Sequence, residues 1–575
     1  MKSIYRKIVL LSVTVFATLM TSCTDFLTII PPDKIVHEQF WQTKDDVNGM
    51  LATSYLKLAT TDAVSKAIVW GSLRADDLTF ESGKQKDDIR YIVEANINEE
   101  NSYTKWGVFY EAINYANLVI EYAPLVVGRD PDFLEGDLDV VVGEMYAMRA
   151  LCHFYLLRTF RDIPMALVPA INDSELPAYE QVHPLEALDL IMKDLDVAEK
   201  LVMPSGNYSD PRNNYGRITK NAVLAMKADV NLWRAAFTVW CSKSSDEKYN
   251  KHQLVNANVQ TYYTDCIANC QAVLDNIDNI YKNNNKFGVT DKKEDLPYHL
   301  ISNHDEYAIK NETFVSRSYD EIFGYENSSE SIFELQIDTK LCEGYSQGIT
   351  SMFGHKDGAG HLEVPKSFMN KYEKDDLRKY SYTNYPYVKD AAEPAKLTVA
   401  KYISKQSPTS STLRVQKEID ANWIVYRQTD VMLMMAEALV AQPSVSSNDI
   451  NKAFEFVNVI NTRARVDTTN IKNPLKLPAD AESALELVLE ERARELAFEG
   501  KRWYDLVRKA LRENTTENIK FVADKLTSNA TSLKNKMLDI DNLFLPIHID
   551  ELRFNKNLVQ NKAYDTDEKT IGMAK

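Results

Sequence analysis

The stretch Glu486–Arg508, ELVLEERARELAFEGKRWYDLVR, constrains this chain more than any other. Leu485, Leu489, Leu496 and Trp503 recur at spacings that mark one apolar face of a helical segment. Glu490 precedes Arg494 at i,i+4 and Glu499 precedes Arg502 at i,i+3, so each pair would fall on neighbouring turns. Charge on a helix is ordinarily a solvated face. Here acids and bases interleave with the apolar stripe, which suits a helix buried among others with its charges paired internally. Gly500 is placed to end or kink the helix before Arg502-Trp503 resumes it. The stretch reads as scaffold.

Within it, Glu490 to Arg508 follows E-x-R-x-R-E-L-A-F-E-G-x-R-W-Y-D-L-x-R and resembles the C-terminal signature of the SusD/RagB family, nutrient-binding outer-membrane lipoproteins of Bacteroidota. The resemblance continues through GEMYAMRALCHFYLLRTFRDIP, where His153-Phe154 replaces Tyr-Phe and Arg161 stands where Gly is common. Trp423–Leu439 (WIVYRQTDVMLMMAEAL) and Val457–Arg465 (VNVINTRAR) match two further blocks. Leu545-Pro546-Ile547 and Asn555–Tyr564 (NKNLVQNKAY) are similar to the closing block, without both prolines and the glycine. A motif of this kind identifies a scaffold, and function must be argued from sites.

Lys2, Arg6 and Lys7 precede the apolar run Ile8–Met20, and Thr21-Ser22 lead into Cys23. That is the layout of a signal peptide over residues 1–22, with Cys23 as the lipidated residue of a bacterial lipobox. Residues 23–39, containing Pro31-Pro32, read as an extended tether, and 40–575 as one body. Phe40-Trp41, Thr43 and Asp45-Asp46 supply capping chemistry for the first helix. No later run is long and apolar enough to cross a membrane. The net charge of −16 lacks the basic face a nucleic-acid binder needs and opposes adhesion to anionic lipid. Cys152, Cys241, Cys266, Cys270 and Cys342 include no CxxC pair and read as small hydrophobes, so no metal site is expected.

Gly is scarce, at 18, and Tyr abundant, at 30, which favours helices over a Gly-punctuated β architecture. Trp106–Ile120, Met145–Thr159 (halted by Pro164), Asp189–Leu201 and Ile218–Phe237 read as successive helices. Ala222, Ala225 and Ala228 are small enough for close crossing, and the helix pairs resemble degenerate tetratricopeptide repeats. Residues 281–420 are loop-rich, with Ser331–Asp338 as a short strand and Asp338–His361 as a Gly-rich loop. Residues 421–575 return to helix. The expected fold is mostly α: degenerate tetratricopeptide-like helix pairs wrapped by an irregular loop-rich region with short strands.

No G-x-S-x-G, phosphate loop or dinucleotide fingerprint is present. The adjacent acids Asp76-Asp77 and Glu490-Glu491 do not by themselves face one another across a cleft as a glycosidase requires. The sequence thus reads as a binding protein, not an enzyme, and needs no cofactor. A sugar ring offers an apolar face and a rim of hydroxyls, matched by flat aromatics and by Asn, Asp, Gln or Arg on loops. Two stretches qualify. One, Trp70–Tyr103, offers Asp76, Asp77, Phe80, Tyr91 and Tyr103, with Trp70 itself reading as core. The other, Tyr325–His361, offers Tyr345, Gln347, Phe353 and His355, with Gly344 and Gly354 arguing against regular structure around the aromatics.

The family resemblance implies that ligand is held by loops after the first helices and after the strand at Ser331, through residues that vary among members. It also implies a cell-surface lipoprotein, anchored by Cys23 alone, that captures an oligosaccharide and delivers it to a SusC-like TonB-dependent transporter in the outer membrane. Two other readings are a RagB-like binder of peptides or another oligomer, and a helical-repeat scaffold that binds protein only.

Overall fold

The computed structural model describes residues 40–81, 83, 86–171, 178–286, 296–303, 316–337, 347–355, 358–386, 394–403, 421–466, 471–519 and 530–565. The expected signal peptide, Cys23 and its tether lie outside them, as do Cys342 and Tyr345.

The first helix, α1 (Lys44–Leu58), opens as its sequence requires: Asp46 N donates to Thr43 Oγ1 at 3.3 Å and Thr43 N donates to the Asp46 carboxylate at 2.8 Å. α2 (Thr61–Ile68) runs into a wide turn, Val69–Leu73, followed by β1 (Thr79–Phe80) and α3 (Asp87–Val93). α4 (Gly107–Tyr122) folds back on α1, α5 (Glu135–Phe160) pairs with α6 (Pro184–Leu201), and α7 (Lys220–Lys243) with α8 (Val259–Lys286). After a loop-rich stretch containing α9 (Gly348–Phe353), α10 (Gln428–Ala441) pairs with α11 (Ser447–Arg463). Each pair also packs on the next: α4 on α5, α6 on α7, α8 on α10. The result is the stacked helix-pair architecture anticipated from the Ala-lined crossings, where Ala222, Ala225 and Ala228 are fully buried.

Three local readings differ. α5 stops at Arg161, whose φ of 69° breaks the ladder; Pro164 lies beyond it, in the strand β2 (Ile163–Pro164) that pairs with β3 (Gln181–Val182). By length and composition α5 could cross a membrane, but 78% of its apolar window is buried in the stack. It also carries Arg149 and Arg158, paired with Asp194 at 2.6 Å and Asp229 at 3.2 Å. Finally, WIVYR is the strand β8 (Trp423–Arg427), paired with β4 (Ser331–Leu335), and helix begins only at Gln428.

The scaffold stretch is α12 (Ala481–Glu495), a turn, and α13 (Arg502–Glu513). The turn holds Phe498 at φ 66° and Gly500 at φ 67°, so the chain breaks where the glycine suggested. The local ion pairs do not form as the spacing predicts. Arg494 reaches Glu491 at 2.7 Å, and Glu490 turns to Lys371 at 2.8 Å. Because the helix ends at Glu495, Glu499 and Arg502 no longer share a face. Glu499 takes Arg427 at 2.8 Å and Lys401 at 2.5 Å, and Arg502 takes Asp76 at 2.8 Å. These partners are remote in sequence and buried, and with Arg463 of α11 on Glu495 at 2.6 Å the charges cross-link β8, α11, α12 and the loop-rich region. A second web joins Arg508 to Glu437 at 2.5 Å and Arg492 to Asp505 and Asp430 at 2.9 and 3.0 Å.

Candidate functional site

The two stretches expected to hold ligand meet. β1 pairs antiparallel with β7 (Leu362–Glu363), setting Phe80 opposite Leu362, and Glu81 N donates to His361 O at 2.8 Å. Beside this ribbon α9 seats on α2. Gly348 permits the approach, because a Cβ there would stand 2.7 Å from the Cβ of Val64. Gln347 N donates to Thr61 Oγ1 at 2.9 Å, which ties the start of α9 to the start of α2. A seam results, one wall from residues 61–103 and the other from 347–363. The buried turn Val69–Leu73, within the first wall, packs on α13 (Arg502–Glu513) of the scaffold.

The side chains along this seam are polar and charged, with aromatic rings among them. Lys66 is buried and pairs with exposed Asp62; burial pulls its ammonium down, and Asp62 pulls it back up. Lys86 Nζ lies 5.0 Å over the Tyr103 ring and donates to its hydroxyl at 3.3 Å. Tyr103 is buried, which raises its phenol, and its carbonyl accepts Trp70 Nε1 at 2.7 Å. Asp88 accepts Ser102 Oγ at 2.5 Å. Gln347 is exposed, while Phe80 and Tyr91 are half-buried. Amide, carboxylate and ammonium groups on a rigid base can pair with hydroxyls, and half-buried rings can meet a sugar face.

Of the other expected contacts, Phe353 is the last residue of α9, inside regular structure. It is 2% exposed and stacks on Tyr402 at 5.7 Å, which stacks on Trp423 at 6.0 Å. It belongs to the core beneath the seam, and Gly354 at φ 89° turns the chain after it. His355 lies in β5 (Gly354–His355), where its backbone pairs with Gly358 of β6 (Gly358–Ala359), and Tyr345 lies outside the described residues. Trp70 is core, stacked on Phe109 at 4.8 Å. Thr61, Asp62 and Lys66 escaped the sequence reading; their one signal is the i,i+4 spacing of Asp62 and Lys66, common to any solvated helix.

Asp76 and Asp77 stand behind the seam, in the scaffold. Asp77 accepts Phe498 N at 3.4 Å. Asp76 accepts Arg502 Nε at 2.8 Å and meets Lys371 at 3.3 Å. Burial alone would raise Asp76, but Arg502 and then Lys371 outweigh it, and its carboxyl falls to about 2. An acid held below its unfolded value contributes stability above that value and loses it as pH falls through the folded one. Asp76→Asn is therefore expected to lower stability at pH 7 by about 2 kcal/mol and to flatten the decline between about pH 4 and 2. Urea midpoints measured at pH 7 and through the acid range check both effects; an unchanged acid limb would refute the assignment.

A family profile described as the SusD family matches residues 232–564, and a second, described as starch-binding and associating with the outer membrane, matches residues 25–232. SusD-like protein P38 of Formosa agariphila is 26% identical over 517 residues, covering 85% of this chain and 88% of that protein. A crystal structure of a SusD homolog from Bacteroides thetaiotaomicron superposes with a TM-score of 0.66 at 17% identity, covering 91% of this chain and 98% of the other. A laminarin-binding SusD-like protein superposes with a TM-score of 0.61 at 20% identity, covering 91% of this chain and all of the other.

Proposed function

The chain belongs to the SusD family, and from that premise we propose that it binds an oligosaccharide at the seam between residues 61–103 and 347–363. One observation carries the assignment. Two polar stretches far apart in sequence are locked side by side by the β1–β7 ribbon and by the seat of α9 on α2. Binding groups on loops held by a rigid scaffold are the usual design of such a site. A glycan ligand is consistent with the laminarin-binding neighbour and with the starch-binding description of the matched profile. Tyr345, in the segment leading to Gln347, is included among the proposed contacts.

The matched family is described as associating with the outer membrane. Cys23 supplies the lipid anchor in this reading, with the body displayed at the cell surface. Captured saccharide passes without covalent change to a SusC-like TonB-dependent barrel, the protein acting as a binder and not as a hydrolase.

Calorimetry against an oligosaccharide array tests the proposal. Gln347→Ala and Tyr91→Ala are each expected to weaken binding about tenfold, the equivalent of one lost hydrogen bond or ring contact of about 1.4 kcal/mol. Full affinity in both variants, or silence towards every saccharide, would sink it. Co-purification of the native protein with an outer-membrane barrel tests the hand-over separately.

A further inference from the structure

A groove of about 430 Å³ lies apart from the seam's ribbon, between the first half of α4, the extended segment 164–170 and the C-terminal residues 551–558. Its size falls in the range of small-molecule sites. Trp106, Tyr110, Tyr115, Tyr179 and Phe554 line it. Phe554, at the end of α14 (Ile549–Phe554), is 69% exposed and lines the groove together with Val168 of the opposite wall, itself 56% exposed. Among the described lining residues there is no Lys, Arg or His, whereas Glu111 and Glu551 are both present. Glu551 accepts hydrogen bonds from Trp106, and Glu111 is met by Lys57 at 2.5 Å.

The backbone of the 164–170 wall is already engaged. Asn117 Nδ2 donates to the carbonyls of Ala166 and Val168 at 3.1 and 3.0 Å. Asn114 both donates to Ala170 O at 3.1 Å and accepts Ala170 N at 2.7 Å. Leu167 O accepts Arg149, Ala166 N donates to His153, and Pro169 has no N–H. On the opposite wall, Asn555 and Asn557 donate to the carbonyls of Tyr179 and Ala178, each at 2.7 Å. An extended peptide that pairs with a backbone edge finds few free partners here. Ring faces and carboxylate oxygens remain available. Those groups suit apolar CH faces and hydroxyl donors, and Glu551 disfavours a ligand bearing carboxylate or sulfate, whereas the charge of Glu111 is offset by Lys57, which also lies 5.9 Å over the Tyr115 ring.

We infer that this groove is a second saccharide site, for the end of a neutral oligosaccharide, with Tyr115 and Phe554 as its stacking platforms. It does not depend on the seam: the two stand on different segments and are read separately by hydrogen–deuterium exchange. The probes are maltohexaose, cellohexaose and laminarihexaose, with trigalacturonate as the anionic comparison and an unstructured hexapeptide as the peptide comparison. One neutral hexasaccharide is expected to slow exchange in peptides covering 164–171 and 549–558, with at least a tenfold preference over trigalacturonate. Phe554→Ala and Tyr115→Ala each remove that protection, while Gln347→Ala leaves it in place. The exposed Phe554 side chain makes its variant safe for the fold, so it decides the matter even if the Tyr115 variant unfolds. Protection that persists in Phe554→Ala, protection by trigalacturonate or by the hexapeptide instead, or none with any neutral sugar would overturn the inference. Protection confined to 61–66 and 347–363 would overturn it too while supporting the seam.

Discussion

Replacing Glu495 by alanine is expected to remove about 3–5 kcal/mol of folding stability, the usual consequence of deleting one partner from a buried charge cluster. Glu495 is 1% exposed and sits at the centre of the scaffold web. One carboxylate oxygen accepts Arg427 at 2.8 Å and Arg463 at 2.6 Å, and the other accepts Arg378 at 2.9 Å. Burial alone would raise this carboxyl, yet the three guanidinium groups, Arg463 first, hold it well below the usual range. Its contribution is therefore complete above the unfolded carboxyl value and is lost as pH falls through the folded one. In the variant Arg427 keeps Glu499, Arg463 keeps Glu330 and Arg378 keeps Asp376 and Glu491, but one negative charge is gone from a site that water does not reach. Glu490, five positions earlier on the same helix, is the control. Its side chain is 38% exposed, and Glu490→Ala is expected to change stability by at most about 1 kcal/mol. Urea unfolding of the two variants gives the comparison. Equal midpoints would show that the web holds the elements in register without stabilising them, as some buried ion pairs do.

The contrast between Glu495 and Glu490 also shows how far the sequence could be read. That the stretch was scaffold with internal pairing followed from charges set inside an apolar stripe, and the break at Gly500 followed from its lack of a side chain. Which charges pair could not be read. Helical spacing offers only local partners, whereas Arg427, Lys401 and Asp76 come from remote segments that the fold delivers. The same limit governed the site. Trp70 was legible as core because Ile68 and Val69 adjoin it, while the family resemblance implied only that loops after the first helices and after the strand at Ser331 hold ligand, not how 70–103 and 325–361 meet. Individual contacts were harder. Phe353 looked loop-borne beside Gly354, yet Tyr402 takes its face, and no local pattern announces a partner 49 positions downstream. The groove under Phe554 was invisible for the same reason: α4, 164–170 and 551–558 share no periodicity, and side chains of α4 bring two of them together, Asn114 and Asn117 on the carbonyls of 166–170 and Tyr110 on Pro164 O at 2.8 Å.

Gly71→Ala is expected to be the most damaging single-methyl addition to the seam's support, costing about 3 kcal/mol or more by overpacking. Gly71 lies in the buried turn Val69–Leu73 that links α2 to β1, and a Cβ placed on it would fall within the carbonyl group of Gly500. Neither side can yield easily. Gly500 is itself held at φ 67°, and a Cβ there would stand 2.7 Å from the carbonyl oxygen of Ala67. Two backbones are thus in direct contact, one from the seam wall and one from the scaffold turn, where no side chain can rotate away. Glycine at Gly49 gives the opposite expectation: it lies within α1 with nothing inside 4 Å of an added Cβ, so Gly49→Ala should gain about 0.5–1 kcal/mol through helix propensity alone. Thermal and urea unfolding of both variants measure the difference. In whatever fraction of Gly71→Ala still folds, the turn must move, carrying α2 away from α9 and β1 away from β7. Its saccharide affinity should then fall even at temperatures where the helices remain intact. A variant that loses stability but binds normally would show that the seam tolerates displacement of its support, and would place the ligand elsewhere on the protein.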